Sequence, residues 1–169
     1  MLFRSGQIAC ADGASKWITG PEARAHAHLE RAQHNAILAG RGTVEADAPR
    51  LDVRLPGLEG RSPARYMLGS GDAPAGWGAL RSVDDALALP DTEYLMVEGG
   101  AETAASFIRA DLVDRLLLYR APILMGRGKA ALGDIGLEAP SQAQGRWRLM
   151  QARQLGADRM EVYARARAG

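Results

Sequence analysis

The segment Val97-Glu98-Gly99-Gly100-Ala101-Glu102-Thr103-Ala104-Ala105-Ser106 constrains this chain more than any other. An apolar run ends on a carboxylate and two glycines, and a helix-favouring stretch starts at once. A strand that passes directly into a helix is the wiring of an α/β sheet, and Glu98 then stands at the carboxyl end of its strand, where open α/β sheets bind ligands. Glycines lack a Cβ and let an anion approach the backbone, and the first N–H groups of the following helical turn face it with partial positive charge. Strand-to-helix turns also use glycine for steric reasons alone. The rest of the chain decides between an anion cradle and a packing turn.

A chain of 169 residues suits one domain, burying roughly two-thirds of its unfolded surface without metal or disulfide. Its 21 basic and 20 acidic residues leave a net charge of +1, so no global field recruits nucleic acid or an anionic membrane. Aromatic residues make up 5% of the chain, too few for a base-stacking platform. Any anion has to be caught locally. Cys10 is the only cysteine; it reads as a structural thiol, excludes an internal disulfide or a multi-cysteine zinc site, and suits a reducing cytoplasm. No apolar run approaches the roughly 20 residues that span a bilayer, and the N-terminus lacks the regions of a signal peptide. The expectation is a soluble, cytoplasmic chain.

Glu22 to Gln33 predicts a helix, with Pro21 in its first turn and Thr19 or Gly20 as cap. Ala36-Ile37-Leu38-Ala39-Gly40 is a short continuous apolar run, suited to a strand buried on both faces. A strand from Arg65 to Leu68, a short helix from Ser82 to Leu89 and a buried strand from Tyr94 to Val97 follow. Next come a helix at about Glu102 to Ala110 and a strand from Val113 to Arg120, stopped by Ala121-Pro122. Arg146 to Gln154 and Arg159 to Arg165, around Leu155-Gly156-Ala157-Asp158, read as a hairpin. The expected fold is α/β, with a central sheet mixed but mostly parallel, flanked by helices and antiparallel at its C-terminal edge.

Three segments are richer in polar groups than a core needs. Asp12 to Gly20 places the Ser15 hydroxyl two residues from Trp17 just before a helix. Gly40 to Arg54 leaves the carboxyl end of the buried strand and reads as a loop carrying Thr43, Asp47 and Arg54. The third is Glu98 with its glycines. If the strands are parallel neighbours, the second and third segments open on one edge of the sheet. Such a set suits a phosphorylated metabolite plus a dinucleotide: Arg31 and Arg54 can each grip a phosphate through a planar fork, and Trp17 can cover a ring. The plainer reading makes Arg31 a surface helix residue, Trp17 a core aromatic and Asp47 a turn starter. His26, His28 and His34 read as solvent or core residues rather than ligands, since positions two apart on a helix diverge. No metal site is expected.

The sequence carries Gly6-Gln7-Ile8-Ala9, then Ser15-Lys16-Trp17-Ile18-Thr19-Gly20, Arg31-Ala32, and Gly42-Thr43-Val44 with Asp47, Pro49, Leu51 and Arg54. It continues with Val97-Glu98-Gly99-Gly100-Ala101, Leu112-Val113-Asp114 and Ala121-Pro122. In order and spacing this resembles the reductase half of the bifunctional riboflavin-biosynthesis deaminase/reductase. The resemblance implies a dihydrofolate-reductase-like fold, a homodimer, and residues 6–169 as a single reductase domain. It also implies NADPH-dependent reduction of 5-amino-6-(5-phosphoribosylamino)uracil to 5-amino-6-(5-phosphoribitylamino)uracil by hydride transfer to ribose C1′. By the same resemblance Ser15, Arg31, Leu51, Arg54 and Glu98 meet the substrate, the arginines pairing with its phosphate. NADPH would meet Ile8, Trp17, Thr43, Asp47, Ser70 and the backbone of Gly100, Ala101, Glu102, Thr103, Ala104, Ala105 and Ser106. Either Glu98 or Asp47 would deliver a proton or hold the ribose hydroxyls, and the resemblance does not choose between them.

The chain departs from that family in places. The family's first strand supplies a lysine followed several residues later by Ser-Leu-Asp-Gly; here only Gly6 survives, Phe3-Arg4-Ser5 takes the place of the other three, and the first strand reads as truncated, with residues 1–5 a foreign or truncated start. The stretch from Ser70 to Glu98 is short for the family, and Ala48 replaces the second of two acids beside Asp47. No His-x-Glu with a Pro-Cys-x-x-Cys partner occurs, so the zinc deaminase half is missing and a deaminase domain or chain becomes a candidate partner. Two alternatives stay open: a same-fold reductase of another pyrimidine or pterin-like substrate, and a non-catalytic nucleotide-binding remnant or structural partner of a separate deaminase.

Overall fold

A computed structural model describes residues 6–13 and 18–167. The expectations for Ser15, Trp17 and residues 1–5 lie outside these. In chain order the elements are β1 (Gln7–Cys10), α1 (Pro21–Ala32), β2 (Ala36–Gly40), α2 (Arg41–Asp47), β3 (Ala64–Leu68), β4 (Gly78–Leu80), β5 (Leu95–Val97), α3 (Ala101–Arg109), β6 (Arg115–Arg120), β7 (Gly128–Ala130), β8 (Trp147–Leu155) and β9 (Asp158–Arg165). They group into two compact units, Ala25–Ser106 and the residues up to Arg24 with those from Phe107 onward.

In the first unit the five apolar residues of β2 are all buried, with Ile37 and Leu38 at 0% exposure, each contributing about 1.5–3 kcal/mol by leaving water. A strand covered on both faces needs neighbours on both edges. β2 pairs in parallel with β3 and β5, and β4 joins beyond β3, giving the order β4-β3-β2-β5. Asn35, just ahead of β2, sets the two flanking strands: its Oδ1 accepts the Tyr94 N–H at 2.9 Å, and its carbonyl accepts the Ala64 N–H at 2.9 Å. Ile37, Ala39, Val44, Leu51 and Met67 form the core cluster, with Trp77 and Met96 packed against it. All four strands end on one edge, where Gly40, Leu68, Leu80 and Val97 stand.

The stretch expected as a loop carrying Thr43, Asp47 and Arg54 is in part a helix. Residues 41–47 form α2, started by Gly40 in extended conformation (φ −71°, ψ 150°) and ended by Ala48 at φ 40°, whose N–H returns to the Val44 carbonyl. Val44 is buried in the core, and one buried side chain in two turns leaves almost no apolar period to read. The helix brings Thr43 and Asp47 one turn apart on the same side; Arg54 alone remains on the loop beyond.

In the second unit β6, β9 and β8 form an antiparallel ladder in that order, and β1 pairs with β7. The hairpin stands as expected, with Gly156 at φ 60° between β8 and β9. The expected strand from Val113 starts two residues late, at Arg115, because α3 closes through Asp111 at φ 66° and the Leu112 N–H on the Phe107 carbonyl. Parallel and antiparallel strands thus occupy separate ladders among the described residues.

Candidate functional site

Glu98 leaves the parallel ladder last: its N–H still bonds the Leu38 carbonyl at 2.8 Å. Its carboxylate meets the guanidinium of Arg31, from the last turn of α1. Arg31 Nε donates to Oε1 at 2.8 Å and Nη2 to Oε2 at 2.6 Å, a two-pronged charge-assisted pair of fixed orientation. The two side chains are 14% and 16% exposed. A third bond, from Arg31 Nη1 to the Asp52 carbonyl at 3.0 Å, ties the pair to the loop after α2. The Arg31 fork thus faces Glu98, and its position makes it the group that aims that carboxylate.

The loop is tightly folded. Leu51 lies at φ 50° with its side chain 4% exposed; a left-handed leucine costs on the order of 1–2 kcal/mol, which its burial offsets. The Val53 N–H is held by Ser62 Oγ at 2.9 Å. The Asp52 carboxylate pairs with Arg50 Nη2 at 2.6 Å and Arg54 Nε at 3.4 Å. From α1, His28 Nδ1 accepts the Arg54 N–H at 3.3 Å and lies 3.0 Å from the Asp52 carbonyl.

Burial first, then the charges of Arg31 and Arg54, hold the His28 imidazolium below its ordinary 6.5. The neutral ring is the form that can accept the Arg54 N–H. A base with a lowered folded-state value contributes its full stability above 6.5 and loses it as the pH falls from there through the folded value. The wild-type melting temperature is therefore expected to drop between pH 8 and pH 5 by more than that of His28→Asn, whose amide oxygen can accept the same bond; parallel melting curves would refute this.

At the glycine turn both readings of the motif have a physical basis. A Cβ on Gly99 would sit 3.1 Å from the Gly40 nitrogen, and one on Gly40 would sit 2.0 Å from Thr103 Oγ1, so these glycines serve close packing of β2, β5 and α3. A Cβ on Gly100 would sit 3.2 Å from Thr43 Oγ1, which already accepts the Gly100 N–H at 2.9 Å. The first bond of α3 runs from Ala104 N to Gly100 O at 3.1 Å, so the amides of Ala101, Glu102 and Thr103 precede it and have no partner within the helix. Farther along, Ala105 is fully buried, and Ser106 Oγ turns back to the Thr103 carbonyl at 2.8 Å.

Ser70 is exposed in the turn after β3. Arg81 Nη1 braces that turn by donating to the carbonyls of Gly69 at 2.8 Å and Gly71 at 2.6 Å. Asp47 is exposed at the end of α2, and Thr43 is half-buried. Ile8 is half-buried on β1, in the other unit. The fold thus gathers Arg31, Glu98, Leu51 and Arg54 into one cluster and Thr43, Gly100 and the start of α3 into another, both at the carboxyl edge of the parallel strands. Arg50, Asp52, Ser62 and Arg81 were not singled out from the sequence, and His28 was read there only as a solvent or core residue. The legible signal was His28, which shares a helix face with Arg31 three residues on.

Residues 5–74 and 83–160 match the family described as the RibD C-terminal domain. The chain belongs to the RibD C-terminal domain family. It is 35% identical over 167 residues to the riboflavin biosynthesis protein RibD of Mycobacterium tuberculosis (strain ATCC 25618 / H37Rv), covering 90% of this chain and 49% of that protein. The structure of Acinetobacter baumannii RibD, form 2, superposes with a TM-score of 0.84 at 26% identity over 97% of this chain and 55% of that one. A deaminase/5-amino-6-(5-phosphoribosylamino)uracil reductase from Thermotoga maritima superposes with a TM-score of 0.82 at 23% identity, over 98% of this chain and 54% of that one. The chain spans about half the length of the curated RibD relatives it matches. Its architecture is that of the dihydrofolate-reductase-like RibD reductase domains. Among the described residues no group of three His, Cys, Asp or Glu side chains could hold a metal ion, and no helix is long and apolar enough to cross a membrane.

Proposed function

We propose that this chain is an NADPH-dependent reductase that converts 5-amino-6-(5-phosphoribosylamino)uracil to its ribitylamino counterpart. The observation that carries the reading is the Arg31–Glu98 fork, tied through the Asp52 carbonyl to the arginine loop at the strand edge that also bears the glycine turn. A diphosphate suits that turn, because the amides of Ala101 to Thr103 precede the first helical bond, which runs from Ala104 N to Gly100 O. Thr43, Asp47, Ser70 and the start of α3 would hold the dinucleotide, which supplies the hydride when bound. Ile8, Ser15 and Trp17 are assigned by family resemblance alone.

Arg54, exposed on the loop after α2, takes the substrate's phosphate in this reading, and Leu51 stays a substrate neighbour by family resemblance. Glu98, both oxygens engaged by Arg31, acts as an acceptor that orients the ribose hydroxyls through its remaining lone pairs. Proton delivery then falls to Asp47, exposed at the end of α2. On the same reading the chain works in the cytoplasm as a homodimer beside a deaminase domain or chain. Following NADPH absorbance with the phosphoribosylamino substrate tests the proposal, and the expected result is one NADPH consumed per ribityl product. A folded chain that binds NADPH without turnover would favour the non-catalytic alternative, and equal turnover of a substrate without the phosphate would favour a same-fold reductase of other specificity.

A further inference from the structure

We propose that Asp52 is a positioning residue that presents Arg50 and Arg54 as a paired fork to the phosphate of the substrate and sets its distance from Glu98. The proposal rests on the reductase reading above and adds to it two residues, Arg50 and Asp52, and a reason for their placement.

The Asp52 carboxylate is 18% exposed, whereas the arginines it pairs with are 72% and 56% exposed. Ion pairs to side chains that exposed contribute little stability, so stability does not account for a largely buried acid between them. Its effect is geometric. Arg54 Nε stands 3.4 Å from Oδ1 and Arg50 Nη2 2.6 Å from Oδ2, so one carboxylate draws both guanidinium groups to the same place on the loop. Two guanidinium groups gathered on one acid and 72% and 56% exposed keep N–H donors for an anion, and a guanidinium fork matches phosphate oxygens.

Asp52 Oδ1 has under 1 Å² of exposed surface and no hydrogen bond, although Arg54 Nε lies 3.4 Å away. A shift of Arg54 by a few tenths of an ångström would complete the bond, and an anion drawing both arginines together provides the occasion for it. The acid could instead repel a phosphate. Burial of Oδ1 and the 2.6 Å contact of Oδ2 with Arg50 turn its charge toward the arginines, so orientation outweighs repulsion.

The backbone of the same residue reaches the other half of the cluster. The Asp52 carbonyl accepts from Arg31 Nη1, while Nε and Nη2 of the same guanidinium hold Glu98. One residue thereby fixes the separation between a phosphate site and a hydroxyl-orienting carboxylate, and selects sugar phosphates of matching length. Substitution of the side chain spares the carbonyl, so the two arms can be tested apart.

The test compares wild type, Asp52→Asn, Asp52→Glu and Arg50→Gln by calorimetric titration with inorganic phosphate and by steady-state kinetics. Asp52→Asn is expected to weaken phosphate binding and raise KM about ten-fold with kcat and NADPH affinity held within about two-fold, and Asp52→Glu to recover most of the loss. Arg50→Gln, at an exposed position that leaves folding intact, is expected to weaken phosphate binding by about five-fold. Unchanged or tighter phosphate binding in Asp52→Asn or Arg50→Gln overturns the proposal, as does a wild-type chain that takes up no phosphate. Phosphate binding that depends on Asp52 in a chain without turnover would remove the reductase reading and keep this one; turnover with an unmoved KM in Asp52→Asn would do the reverse.

Discussion

Glu98→Gln is expected to lower kcat by about a hundred-fold or more while the protein still folds, because an oriented electrostatic contact to the reacting region is worth roughly that much. Glutamine has the size of glutamate and keeps one oxygen for Arg31, but it replaces the other acceptor with an amide that faces the guanidinium donor to donor. One prong of the 2.6 and 2.8 Å pair is lost, and the side chain no longer has a single preferred orientation. Arg31 retains its bond to the Asp52 carbonyl, so the stability loss stays near about 1–3 kcal/mol. Arg31→Met reverses the balance. It leaves the 16%-exposed carboxylate of Glu98 without its cation, and the expected loss is about 3–5 kcal/mol, as for other broken buried pairs. Melting curves and kinetics on the two variants separate the roles. A Glu98→Gln enzyme with kcat within two-fold of wild type would take Glu98 out of the chemistry.

What could be read from the residues alone follows from the range over which each signal acts. β2 was legible to the residue, because a strand buried on both faces shows as an unbroken apolar run and Asn35 and Gly40 bound it. The turn from β5 into α3 was legible because an apolar run, two glycines and a helix-favouring stretch follow one another directly, whereas the nearest atoms that crowd those glycines, from Gly40 and Thr43, lie far off in sequence. β1, β4 and β7 are three or four residues long, too short to display a period. The chemistry divides the same way. Glu98, Arg31 and Arg54 were picked out as polar residues for a sheet-edge cleft and Leu51 through a family resemblance, but the fork that joins Arg31 to Glu98 spans 67 positions, and no local pattern encodes a partner at that distance. Asp52 was invisible for a related reason: its function is to hold two neighbours, and an acid between arginines on a polar loop looks like ordinary surface.

Gly40→Ala is expected to destabilise the chain by about 1–3 kcal/mol through overpacking and to weaken NADPH binding by at least ten-fold. The backbone is not the obstacle, since φ −71° and ψ 150° suit any residue. The obstacle is Thr103, whose hydroxyl would lie 2.0 Å and whose Cβ would lie 3.4 Å from the added methyl. Thr103 belongs to the first turn of α3, so relieving the clash moves the amides that a diphosphate would meet. Gly42→Ala is the control: nothing lies within 4 Å of a Cβ there, and alanine in a helix is favoured over glycine by about 0.5–1 kcal/mol. The cause can be isolated by adding Thr103→Ala to Gly40→Ala. Removing the hydroxyl takes away the contact at 2.0 Å and leaves the Cβ contact at 3.4 Å, an ordinary packing distance, so the double variant is expected to regain most of the stability and cofactor affinity that the single one loses. A Gly40→Ala chain as stable and as tight for NADPH as wild type would show that α3 withdraws freely, and the glycine turn would then be a packing device with no part in holding a ligand.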